Sequence, residues 1–216
     1  MELYLHHKAS PYVRKVLLCA LELGASLEER VVALADREAL DAYAAINPNR
    51  RFPALRDGAL VLWESDAILR HLARIHDPAW LGSTRVSAAL VDQWLAWTLA
   101  HLNPAMLGLQ NARLGFLPRP LRDEATLIGD CARALAVLEG ALAVRPYVAG
   151  EAITIADLAL AAAFTYEREA ALLDPRFSAV ARWLDTIRAR RSWVETEAMK
   201  RAALAAFGID LQRVAR

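Results

Sequence analysis

Cysteine is scarce in this chain: 216 residues hold two, Cys19 and Cys131. They lie far apart and fall inside helical patterns, so there is no Cys-x-x-Cys pair, no metal-ligand spacing and no disulfide framework. Both read as small buried hydrophobes in a reducing, cytoplasmic setting. An excess of one charge is also missing. With 26 basic and 25 acidic residues the formal net charge is +1, which removes the electrostatic case for nucleic acid. No stretch approaches the roughly 18 apolar residues of a membrane span. The opening MELYLHHKASPYVRK lacks the apolar centre of a secretion signal. His6 and His7, adjacent on a predicted strand, would point to opposite faces, so no joint metal site is expected. There is no internal repeat and no low-complexity tract. What the chain does have is apolar mass: 56% of it is hydrophobic, enough for a substantial core.

The pattern changes character near residue 77. Before it, strands are predicted at Leu3–His6 and Arg30–Leu34 and helices at Pro11–Leu23 and Arg37–Ala45. In the first helix Val13, Val16, Leu17, Ala20 and Leu21 share a face, and Gly24 closes it. The order gives a βαβ unit followed by ββα, with a right-handed crossover between parallel strands. His76 to Thr84, HDPAWLGST, reads as a linker from its proline, glycine and serine. After it every long segment is helical in period: Arg85–Leu102, Leu121–Val144, Ile155–Leu172, Ala179–Arg190 and Ser192–Phe207. Two domains follow, a small α/β one over residues 1–76 and an all-helical one over 85–216, joined by 77–84. Trp183 and Trp193 read as packing residues.

Three helix starts carry most of the information. Asn47 to Arg74, NPNRRFPALRDGALVLWESDAILRHLAR, reads as loop, strand, an Asp57-Gly58 hairpin turn, strand and helix. That helix begins near Ser65, read as its N-cap, with acids beside it. Such an end offers unpaired N–H groups to a carboxylate, and its own carboxylates could hold an ammonium. The combination suits the end of an amino acid or peptide. Thr154-Ile155-Ala156-Asp157 is close to a capping box, with Ile153 and Leu158 at hydrophobic-staple spacing, and belongs to folding. Ser10-Pro11 opens the first helix. Its hydroxyl has two readings: a plain N-cap, or a donor aimed at a bound sulfur, whose thiolate the helix end would favour.

Taken together, SPYVRKV, NPNRRFPAL, the Asp-Gly turn, WESDAILRHLA and GEAITIADLAL resemble the cytosolic glutathione transferases across essentially the whole chain, in their serine type. The resemblance implies an α+β two-domain fold, a thioredoxin-like domain followed by a helical bundle, usually as a homodimer. It implies glutathione as co-substrate and no metal. Ser10 would donate to the sulfur. Pro53 would be cis, Phe52 would pair through its backbone with the cysteinyl unit, Arg51 would lie near the glycyl carboxylate, and Glu64 and Ser65 would hold the γ-glutamyl end. Asp66 would be a helix-start acid or an addition to the amine site. Tyr4 lies near the position where tyrosine-type members carry their phenol, and is otherwise a packed strand residue.

Two positions depart from the family pattern. Arg50-Arg51 stands where many members have a glycine before the basic residue, and Glu38 falls where some have a basic ligand for the glycyl end. For the hydrophobic substrate the resemblance points to Trp97, His101, Met106 and Arg113, all of which read as core by spacing alone. The implied function is attack of a glutathione thiolate on a small hydrophobic electrophile, by conjugation, reduction, isomerisation or dehalogenation, in cytoplasmic detoxification. The alternative is a non-catalytic glutathione-sensing or protein-interaction module on the same fold.

Overall fold

The computed structural model describes residues 1–116 and 122–210. The predicted helix start at Leu121 and residues 211–216 of the predicted helical domain lie outside them. Among the described residues the chain divides into two compact units, Met1–Ala79 with Arg191–Phe207, and Trp80–Arg190 with residues 208–210.

The first unit is built on a four-stranded sheet in the order β2-β1-β3-β4. The strands are β1 Glu2–Leu5, β2 Glu28–Val31, β3 Ala54–Asp57 and β4 Leu60–Trp63. β1 and β2 are parallel, joined across helix α1 (Pro11–Leu23), and the other two pairings are antiparallel. β2 begins two residues earlier than its apolar pattern suggests. It is an exposed edge strand, so Glu28 and Glu29 can pair with β1 through their backbones while their side chains stay in water. The hairpin turn is one residue later than expected: Asp57 pairs with Leu60, and Gly58 takes the left-handed φ of 58°.

α1 ends as predicted, at Gly24 in the left-handed conformation. It is buried on more than one face, however: every residue from Val13 to Ala20 is buried, while Leu21 is exposed. Neighbours on a helix point about 100° apart. Arg14 and Lys15 therefore meet different partners. Lys15 pairs with Asp66 on helix α3 (Ser65–His76). Arg14 meets the final helix, α9 (Arg191–Ala206), where its guanidinium lies 4.0 Å from the Trp193 ring centroid, 2.9 Å from Glu197 and 3.2 Å from the Thr196 hydroxyl. Glu197 also takes the buried Lys200 at 2.9 Å. The last predicted helix, expected from its period in the helical domain, packs instead in the first unit. Its polar Arg14, Thr196, Glu197 and Lys200 contacts give no apolar stripe from which that docking could be read.

The second unit holds α4 (Arg85–Trp97), α5 (Asn103–Leu114), α6 (Glu124–Leu142), α7 (Ile155–Ala162) and α8 (Ser178–Arg188). The segment before α4 is more ordered than a linker. It contains a 3-10 turn, Pro78–Leu81, and Gly82 at φ 98°, where a Cβ would meet the Ala88 backbone nitrogen at 2.4 Å. Thr84 and Ser87 form a reciprocal capping box at α4. Sequence reading ended the first helix at Leu102 and missed α5. Pro104 removes an N–H from the helical ladder, and the chain passes it through a π-helical turn, Thr98–Leu102, before α5 continues. The predicted Ile155–Leu172 helix stops at Ala162, after which Phe164 and Thr165 bond three residues back, to Ala161 and Ala162.

The start of α7 is as legible as the sequence promised. Asp157 is fully buried and accepts from the Thr154 and Val148 amides at 2.9 and 3.1 Å, the Thr154 hydroxyl at 3.1 Å and the Trp183 indole at 3.1 Å. Trp183 is therefore a packing residue with a hydrogen-bonding duty. Among the described residues, no helix is long and apolar enough to cross a membrane.

Candidate active site

Three segments of the first unit carry the residues that the sequence singles out. The first is the turn from β1 into α1. Ser10 is the N-cap residue, half-buried, and its side chain makes no cap hydrogen bond; Pro11 follows at the first helical position. The Ser10 carbonyl is engaged by the Arg14 amide at 2.8 Å. The hydroxyl is thus left uncommitted beside first-turn amides that have no intrahelical acceptor. Ser10 thus holds the N-cap position without a side-chain cap bond.

The preceding histidines correct the strand reading. β1 ends at Leu5, so period-two alternation stops there, and the His6 and His7 rings come together with centroids 3.9 Å apart. Burial, and secondarily His7, pushes His6 down to about 4; burial alone lowers His7. Both imidazoles are neutral at pH 7, and His7 Nδ1 accepts from the Ala9 amide at 3.2 Å. Among the described residues no group of His, Cys, Asp and Glu could hold a metal.

The second segment is the loop before β3. The Phe52–Pro53 peptide is cis, and Pro53 is buried while Arg51 is exposed. Two side chains that sequence reasoning did not single out hold this loop. The Tyr43 hydroxyl and Asn47 Nδ2 both donate to the Arg51 carbonyl, at 2.6 and 2.7 Å. Tyr43 ends helix α2 (Arg37–Tyr43) and stacks on Phe52 with centroids 4.4 Å apart. The signal for Asn47 was its place directly before Pro48; for Tyr43 there was none. Arg50, standing where the family pattern has glycine, adopts the left-handed φ of 52° itself, with its guanidinium 3.0 Å from Asp41. The backbone at Arg50 is thus in a conformation that glycine would also adopt. Glu38 is exposed in the first turn of α2.

The third segment is the start of α3. Ser65 is not the N-cap but the first helical residue; the cap position belongs to Glu64, at φ 71° and ψ 111°. A glutamate in that conformation is strained, and its exposed side chain makes no cap bond. Ser65 and Asp66 are buried. Burial, then the charges of Asp66 and Glu64, raises the Tyr12 phenol, which puts both acids within electrostatic reach of the first turn of α1. The hydroxyl, the cis-proline loop and the acidic helix start thus gather in one unit.

Comparison with known proteins agrees with this arrangement. Residues 5–80 match the family model for the glutathione S-transferase N-terminal domain, and residues 107–191 match that for the C-terminal domain. The chain belongs to the glutathione transferase family. It is 34% identical to glutathione S-transferase 4 of Zea mays over 69% of this chain and 70% of that one. A theta class glutathione S-transferase from Xanthomonas axonopodis pv. citri, solved with glutathione bound, aligns with a TM-score of 0.75 at 29% identity over 90% of this chain and 95% of that one. A stretch of human valine–tRNA ligase is also similar, 37% identical over 64% of this chain but 11% of the ligase.

Within this glutathione transferase, the four residues expected to face the hydrophobic substrate are dispersed. Trp97 and His101, with ring centroids 6.2 Å apart, line a cavity of about 330 Å³ with Arg122 and Arg133, which share the Asp130 carboxylate. Met106 is fully buried in the core of its unit. Arg113 lines a different cavity, of about 370 Å³, and donates to Glu124 and to the Ala170 and Ala171 carbonyls, each at 2.8 Å. Tyr4 is a strand residue whose hydroxyl donates to Glu2 at 3.2 Å.

Proposed function

We propose that the chain is a serine-type glutathione transferase in which Ser10 activates the glutathione thiol. The observation that carries this is the Ser10 hydroxyl, which is half-buried and makes no cap bond to the helix it begins. In this reading Phe52 pairs with the cysteinyl backbone beside Pro53, Glu64 and Ser65 take the γ-glutamyl end, and Arg51 serves the glycyl carboxylate. Residues 1–76 would form the glutathione-binding part.

A free thiol has a pKa of about 8.5, so little of it is ionised at pH 7. A hydrogen bond to a charged group contributes about 1.5–3 kcal/mol, which is about one to two pKa units. Donation from Ser10, backed by the helix end, brings the thiol near neutrality. The sulfur then bonds to an electrophilic carbon of a small hydrophobic substrate as its leaving group departs. The thiol proton goes to solvent; Ser10 keeps its own. The same thiolate could serve reduction, isomerisation or dehalogenation. Assembly as a homodimer, a cytoplasmic place and a detoxifying role accompany the reading.

The similarity to part of a tRNA ligase favours one other reading, a non-catalytic module on the same fold. Retention on immobilised glutathione, followed by turnover of a panel of electrophiles by wild type and Ser10→Ala, separates the two. Turnover that collapses in the variant supports the transferase. Binding without turnover, unchanged by the substitution, supports the module.

A further inference from the structure

Lys15 and Asp66 form an ion pair with side chains 2% and 9% exposed. Replacing such a pair by apolar residues of similar volume is often neutral or stabilising, so its presence is weak evidence of a stability role. Its placement is more informative. Lys15 lies five residues after Ser10 on α1, and Asp66 directly follows Ser65 on α3. Val16 on α1 and Ile68, Leu69 and Leu72 on α3 are fully buried apolar residues, and the Cys19 thiol makes a long contact to the Leu69 carbonyl at 4.0 Å. Apolar burial is non-directional. The ion pair is directional. The second Asp66 oxygen is buried without a hydrogen-bond partner, so Lys15 is what fixes the carboxylate. About 100° around the same helix, Arg14 contacts α9.

We infer that the Lys15–Asp66 pair is a positioning device that sets the spacing between the thiol end and the γ-glutamyl end of the site, and so makes the site select the whole tripeptide over its thiol-bearing half. The inference rests on the glutathione reading above. A ligand that spans two subsites gains from the second contact only where their separation matches its own length. A shift of one helix start along the other leaves each half-site intact and loses the advantage of joining them.

The test compares glutathione with cysteinylglycine, which keeps the thiol and lacks the γ-glutamyl group. For each thiol, kcat/KM is measured with one fixed electrophile, in the full chain, for wild type and for Lys15→Met/Asp66→Leu. The double variant is used because either single change strands a buried charge and threatens folding; circular dichroism and thermal melting check that it folds. The expected result is a fall of about tenfold in the glutathione-to-cysteinylglycine preference, with the dipeptide value within about twofold of wild type. An unchanged preference overturns the inference, whether both values hold or both fall together, because a merely structural pair would move them alike. A wild type that turns over neither thiol overturns the glutathione reading, and this inference with it.

Discussion

Ser10 and Thr154 both begin a helix with a hydroxyl, and the two ends are finished in opposite ways. At Thr154 the amide and hydroxyl converge on Asp157, which also gathers the Val148 amide and the Trp183 indole. At Ser10 the side chain caps nothing, and the first turn carries no acid. The start built around a buried, bonded carboxylate lies in the second unit and the open one in the first. A helix end whose donors are met internally contributes stability and has nothing left for a ligand; one left open forgoes that stability and keeps its donors available.

That contrast is broken most forcefully at Asp157. Asp157→Ala leaves the buried Val148 and Thr154 amides and the Trp183 indole without their acceptor, and a loss of about 3–5 kcal/mol is expected in denaturant unfolding. Activity per folded molecule is expected to hold. A loss below about 1 kcal/mol would mean that the Asp157 cluster is not the stabilising end of the pair.

Ser10→Ala gives the complementary outcome. No cap bond is lost, so stability is expected to change by less than about 0.5 kcal/mol. The thiolate loses a charge-assisted donor, so kcat/KM with a fast electrophile should fall by the equivalent of about 1.5–3 kcal/mol. The ionisation seen in the pH–rate profile should move up from near neutrality toward the free thiol. A stability loss typical of a capping serine, about 1 kcal/mol, with activity retained, would return Ser10 to a plain cap.

A pH prediction sharpens the same end. His6 has a folded pKa of about 4, held down by burial, against an ordinary value near 6.5. Between these values the folded state binds fewer protons than the unfolded one. The stability tied to neutral His6 is therefore present above about pH 6.5 and is lost as pH falls toward 4. Discounted for partial exposure, the loss is about 1–2 kcal/mol, and His6→Phe should flatten it. Neutral histidines also mean that neither His6 nor His7 supplies a cation to the thiolate at pH 7.

How much of this was legible depended on whether a signal was local. The Ser-Pro start, the Asp-Gly turn and the Thr154–Asp157 box lie within a few residues, so the sequence carries them. The parallel pairing of the first two strands follows from the βαβ order, the cis bond comes with the family resemblance, and the full strand order β2-β1-β3-β4 comes from neither. What escaped was set by tertiary contacts. Tyr43 reaches the Arg51 carbonyl across a loop, α9 docks through charged residues, and the helix predicted to end at Leu102 passes through a π turn into α5 just before Pro104. The electrophile side was least legible because an aromatic at helical spacing looks alike in a core and in a cavity. The structure divides Met106 from Trp97 and His101 on that point.

The smallest predicted effect tests whether the loop at the open end carries backbone strain. Arg50 holds φ 52°, and its guanidinium meets Asp41 with both side chains more than half exposed. A left-handed conformation costs a residue with a Cβ about 1–2 kcal/mol, while an exposed ion pair returns about 0–1. Arg50→Gly sheds the strain and the ion pair but adds chain entropy of about 0.5–1 kcal/mol to the unfolded state, so its stability should lie within about 0.5 kcal/mol of wild type. Arg50→Ala keeps the strain and loses the pair, and should be about 1 kcal/mol less stable than the glycine variant. Chemical denaturation of the two resolves a difference of that sign. Alanine equal to or above glycine would mean that the left-handed backbone at residue 50 is not maintained in solution, and that the loop presenting Phe52 is held by Tyr43 and Asn47 alone.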